Sequence, residues 1–193
     1  MVLVIDTSSH LSGLAVLDEG GNVVAETVLS SGRDLGLRLQ IAALVDVRRL
    51  TAVAVALGPG SFTGLRVGAA HGLGLAMGLG VPLKGLGTLE LAAERAMEPA
   101  LGVAEAGRGR VYWQGPGGSP ALAEATELPT SLPAAGWLRP ATAEGLAAAG
   151  VRLLEESELR SFGVAAARLI GGARELGYDT VRLQYMQSFG SLR

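Results

Sequence analysis

The chain of 193 residues contains no cysteine. Disulfides, thiolate nucleophiles, zinc fingers, iron–sulfur clusters and CxxC redox chemistry are therefore excluded, while a reducing compartment is permitted. Histidine is nearly absent too, with only His10 and His71. They form neither an HExxH motif nor another close pair, so no histidine-based metal site is expected and a Ser/His/Asp triad has just these two candidates. An excess of positive charge is also missing, because 16 basic residues against 18 acidic ones give a net charge of -2. Bulk attraction for nucleic acid or membrane surfaces is thereby excluded, and contact with RNA would need a partner to bring most of the positive charge. A long apolar span is lacking as well. The uncharged run from Val67 to Leu83 is 17 residues with His71 inside it, which reads as a buried helix rather than a membrane span. Asp6 stands where a secretory leader would carry its positive region, so the expected address is cytoplasmic.

What the chain has in excess is glycine, 29 residues without the collagen period. Its length suffices to bury roughly 70% of the unfolded surface, so one domain or two small lobes need no metal or disulfide. Apolar runs and turn residues predict strands at 2–5, 13–17 and 23–29 as a meander, then a helix over 34–46 capped by Asp34. A β-branched strand at 51–57, a glycine-rich turn, a helix over 63–79, a strand at 81–85 and a helix over 89–97 capped by Thr88 follow. This order implies a mixed sheet covered by helices. Beyond Pro99 the pattern predicts a hairpin at 101–114, a proline-rich loop over 115–140 with at most one edge strand, a helix over 158–176 and a closing strand at 183–186. The composition shift at 98–100 divides the chain into 1–98 and 99–193.

Three features invite chemistry. Gly58 to Gly64 precedes a helix as a phosphate loop would, yet it lacks the lysine of GxxxxGK[ST], the third glycine of GxGxxG, and the glycines of a nucleophile elbow around Ser61. A structural turn with Ser61 or Thr63 capping the helix accounts for it. Asp6 and Thr7 end the first strand, where they could hold Mg²⁺ and phosphate or simply form an Asx turn. The helix repeats small residues every four positions, with Gly64, Gly68 and Gly72 on one stripe and Ala70, Gly74 and Gly78 on another. Each interior glycine costs about 0.8–1 kcal/mol against alanine, so something approaches the backbone closely. A neighbour in the same domain and a helix of a partner subunit both fit.

The strings Val4-Ile5-Asp6-Thr7-Ser8, Ala56-Leu57-Gly58-Pro59-Gly60-Ser61-Phe62-Thr63-Gly64-Leu65-Arg66-Val67-Gly68 and Pro82-Leu83-Lys84-Gly85-Leu86-Gly87-Thr88-Leu89 closely resemble the TsaB (YeaZ) family. The resemblance implies an α/β, actin-like ASKHA (ribonuclease H-like) fold of two lobes with mixed sheets and covering helices, the second lobe shortened. It implies a role in making N6-threonylcarbamoyladenosine at position 37 of tRNAs that read ANN codons. In that system a TsaD-type transferase carries the metal and the chemistry, a TsaE-type ATPase joins it, and the TsaB-like chain is a non-catalytic dimerisation partner without a cofactor, touching tRNA only through the complex. A homodimer is the alternative assembly. The implied partner interface comprises Leu65, Gly68, His71, Gly72 and Leu75 of the glycine-rich helix with Leu39 of the helix before it. Asp6, Thr7, Ser61 and Thr63 remain candidate anion or nucleotide contacts, in keeping with a competing expectation that the chain is an independent ASKHA-type nucleotide hydrolase or kinase.

Overall fold

A computed structural model describes residues 1–30 and 36–186, without the side chain of Leu39. Alternation of apolar side chains in β1 (Val2–Asp6) sets the architecture. Leu3 and Ile5 point to one face of a six-stranded sheet and Val4 to the other, and all three are fully buried. β1 pairs antiparallel with β2 (Leu11–Leu17), which pairs antiparallel with β3 (Val23–Ser30). On its other side β1 pairs parallel with β4 (Ala52–Ala56), whose neighbour is the parallel β5 (Leu83–Leu86). The fully apolar AVAVA of β4 suits a central strand covered on both faces.

One face is covered by α1 (Leu37–Leu44) and α2 (Phe62–Leu79), with Leu37 and Ile41 packed on Leu3, Ile5, Val53 and Val55. The predicted cap at Asp34 lies outside the described residues. α2 starts where Ser61 Oγ accepts the Gly64 N–H and stops at Gly80 in the left-handed region, φ 66°. The Gly58–Pro59 peptide before it is cis. The opposite face carries Leu91 of α3 (Thr88–Glu94) and Phe162 and Ala166 of α5 (Phe162–Ile170). Gly87, not Thr88, occupies the cap position of α3.

A second sheet of four strands is ordered β8-β7-β6-β9, from β6 (Leu101–Gly107), β7 (Arg110–Gln114), β8 (Ala121–Glu124) and β9 (Ala134–Ala135). β6, β7 and β8 form a meander and β9 runs parallel to β6, as β4 does to β1. An isolated parallel bridge, Ala134 to Leu153, stands where β5 stands in the first sheet. The second sheet therefore repeats the first with its last two strands eroded to a dipeptide and a bridge. α4 (Pro140–Ala148), with Pro140 opening the helix, crosses between them as α2 does, and Leu146 is fully buried there. α3 is shared: its Leu89 packs on Ala104 and Tyr112 of the second sheet.

Three expectations need correction. The segment 115–140 holds two short strands and a 3-10 turn at 125–127, where a loop with at most one edge strand was expected. The long helix over 158–176 is a 3-10 turn at 156–158, then α5, then β10 (Arg174–Leu176). β10, not 183–186, closes the first sheet by pairing antiparallel with β5. Gly171 and Gly172 interrupt the apolar periodicity and let the chain turn back to the sheet.

Candidate functional site

α2 has two differently occupied faces. A Cβ at Gly64 would collide with the Thr7 carbonyl oxygen, at Gly68 with the Thr7 hydroxyl, and at Gly72 with the Val55 side chain. This stripe lets the helix lie directly on β1 and β4. Gly68 and Gly72, expected at a partner surface, therefore face the chain's own sheet, and Leu65, 1% exposed, lies in the same layer. Leu75 is half-buried against the core beneath α2. The neighbour that the glycine spacing demanded is the sheet of the same chain, met at the turn after β1 through Thr7 and at β4 through Val55. The other face is open: nothing lies within 4 Å of a Cβ at Gly74 or Gly78. Arg66, Ala70, His71, Gly74, Met77 and Gly78 are exposed there, Met77 at 56%. His71 Nδ1 lies 3.1 Å from the Val67 carbonyl oxygen, which leaves Nε2 facing outward. Of the residues expected at the partner interface, His71 alone is placed on this face, while the Leu39 side chain is outside the described set.

The candidate anion contacts do not converge on one void. Asp6 Oδ1 accepts the Ser8 N–H at 2.8 Å, the Asx-turn arrangement. Thr7 Oγ1 donates to the Gly64 carbonyl at 2.6 Å, and Ser61 Oγ accepts the Gly64 N–H at 3.2 Å. Both hydroxyls thus hold the start of α2, while Thr63 is exposed. Burial pushes the Asp6 carboxyl above its ordinary value, partly offset by hydrogen bonds from Ser8. Asp6, Ser8 and Thr88 border a cavity of about 20 Å³ that Arg95, Trp137 and Phe162 wall off. That volume takes one water molecule. Thr88 Oγ1 finds no partner there among the described residues.

A larger cleft of about 470 Å³ opens between the two sheets, lined by the start of α2 at Ser61 and Phe62, by Arg108 and Tyr112 of the β6–β7 hairpin, and by Arg139 and Tyr185. Sequence reading missed it, because Arg108 and Arg139 come from the second sheet and its connections while Tyr185 is held against α2 by Phe62 and Arg66. Among the described residues no group of three His, Asp or Glu side chains could hold a metal, and no helix is long and apolar enough to cross a membrane.

The family model of TsaD, tRNA N6-adenosine threonylcarbamoyltransferase, matches residues 38–127. The tRNA threonylcarbamoyladenosine biosynthesis protein TsaB of Bacillus subtilis is 34% identical over 121 residues, 58% of this chain and 52% of that one. Its Escherichia coli counterpart is 30% identical over 126 residues, 58% of this chain and 53% of that one. Over this stretch the chain is similar to TsaB proteins and to the TsaD model. The match spans about half the length of these curated relatives. YeaZ from Pseudomonas aeruginosa, a solved structure, superposes with a TM-score of 0.75 at 21% identity, covering 96% of this chain and 99% of that one. The fold is accordingly actin-like and ribonuclease H-like, with two mixed sheets as in YeaZ.

Proposed function

We propose that the chain is a non-catalytic partner subunit in threonylcarbamoyl transfer to adenosine 37 of ANN-decoding tRNAs. It acts by pairing with a TsaD-type transferase, and a TsaE-type ATPase joins the assembly. The observation that carries this reading is the outward stripe of α2, where Ala70, Gly74 and Gly78 surround the exposed Met77. Unfilled glycines on an exposed helix face permit close approach of another helix, and one exposed thioether beside a line of small residues is a ready anchor for it. The likeness to TsaB proteins and to the TsaD model favours a TsaD-type partner. The interface is thereby moved from Leu65, Gly68 and Gly72 to the opposite side of the same helix, with His71 retained.

The reading is tested by reconstitution. Transferase, ATPase, the adenylate-forming enzyme, threonine, bicarbonate, ATP and unmodified tRNA are combined with and without this chain. Modification that proceeds equally well without it sinks the proposal. In the same assay Gly74→Glu is expected to abolish co-elution with the transferase without lowering the melting temperature of the isolated chain. A second copy of this chain seated on the same face would appear as a concentration-dependent dimer lost in Gly74→Glu.

A further inference from the structure

We propose that the cleft between the start of α2 and the β6–β7 hairpin is a contact site for single-stranded RNA, and this rests on the function proposed above. Arg108 sits at the hairpin tip in the left-handed region, φ 57°, between Gly107 and Gly109, whose φ values are 78° and 76°. Arg108 is exposed at this turn and lines the cleft. Arg139 is exposed across the cleft, and its backbone N–H donates to Glu105 Oε1 at 2.8 Å. The carboxylate lining the cleft is thereby turned onto the main chain, and the two arginines dominate its charge.

The rim adds flat surfaces. The Phe62 and Tyr185 rings lie 5.1 Å apart, Arg66 stacks 3.6 Å over the Phe62 centroid, and its Nε donates to the Tyr185 hydroxyl at 3.2 Å. Tyr185 remains 43% exposed. Cations beside aromatic faces recognise a polyanion that carries planar groups, which an acidic peptide does not and an unpaired RNA segment does. Arg66 belongs both to this rim and to the exposed face of α2, so RNA held by a partner on that face would cross the cleft. The net charge of -2 fits the same arrangement. The chain has no general basic surface, and its contribution is local, felt once a partner has brought the RNA.

The probe is a fluorescein-labelled stem-loop with an ANN anticodon, compared with a duplex of equal phosphate number, in fluorescence anisotropy on the complex with the transferase at several salt concentrations. Co-elution with the transferase is measured alongside. Arg108→Glu/Arg139→Glu is expected to co-elute normally, to bind the stem-loop about tenfold more weakly, and to lower the salt-dependence slope by about 1.4 for two single-strand phosphates. Arg108→Lys/Arg139→Lys should keep the slope. Tyr185→Ala should weaken the stem-loop by about fivefold or more and leave the duplex unchanged. Variants that co-elute and bind RNA with wild-type affinity and slope would overturn the proposal while leaving the subunit reading intact. Displacement of the RNA by an equally charged Asp/Glu peptide would also overturn it, reassigning the cleft to an acidic protein segment. If the wild-type chain does not co-elute with the transferase, the subunit reading fails and takes this inference with it.

Discussion

At Gly64 and Gly72 an added methyl group would meet the Thr7 carbonyl oxygen and the Val55 side chain, whereas at Gly74 it would meet nothing. One substitution therefore has opposite signs on two sides of one helix. Gly64→Ala is expected to lose about 1–3 kcal/mol or more, since backbone cannot step aside. Gly74→Ala should gain about 0.8–1 kcal/mol of helix propensity. Urea unfolding of the isolated chain measures both, and equal signs would contradict the two-faced reading. Asp6 offers a pH test. Its carboxyl is buried and its pKa raised, so the folded state holds the proton more tightly than the unfolded one. Stability is then lost as pH climbs from about 4, the ordinary value, through the raised one. Asp6→Asn keeps an acceptor for the Ser8 N–H and should be more stable than wild type at pH 7 but not at pH 3. A pH-independent difference would refute this. The glycine spacing was legible in the sequence as close approach, but its direction was not. Periodicity places Gly68 and Gly72 on one face without saying whether a strand or a stranger lies opposite.

Among elements, α3 lies between the two sheets and ends at Arg95, which caps its C-terminus. That side chain is 6% exposed, forms a two-pronged ion pair with Glu156, donates Nε to the Arg160 carbonyl at 3.2 Å, and lies 5.0 Å from the Trp137 ring centroid. Glu156 also accepts the Trp137 indole N–H at 3.1 Å. Removing one member of such a set strands the other, while removing both is cheaper. Glu156→Ala is expected to cost about 1.5–3 kcal/mol, the scale of charged hydrogen bonds. Arg95→Met combined with it should recover part of that loss, and a double-mutant cycle that is simply additive would show the pair to be uncoupled. The element order up to α3 was readable because strands alternating with long periodic helices leave few options. α4 escaped, although Pro140 at its first position is a recognised start signal, because nine residues of PATAEGLAA carry no apolar stripe. The α5–β10 pair was read as one helix because its apolar spacing runs on past the glycines.

At the scale of the whole molecule, the last described elements return to the first sheet. α5 packs on β2 and β3, Glu26 of β3 accepts the Gly163 N–H at 2.6 Å, and β10 covers the outer edge of β5. A fragment of residues 1–98 would expose Val4, Ala15 and Leu17 together with the bare β5 edge. It is expected to aggregate rather than give a dispersed amide NMR spectrum, and a folded monomeric fragment would show the lobes to be separable. None of this was visible from composition, which changes near residue 99 while the packing does not respect that change. The late return of β10 also sets a timetable for synthesis. About ninety residues separate β5 from β10, which at about 5–20 residues per second is several seconds or more of elongation. For that interval the newborn chain carries an unpaired parallel strand at the ribosome. Chaperone occupancy of the nascent chain should therefore rise once β5 has emerged from the exit tunnel and fall only when β10 follows it.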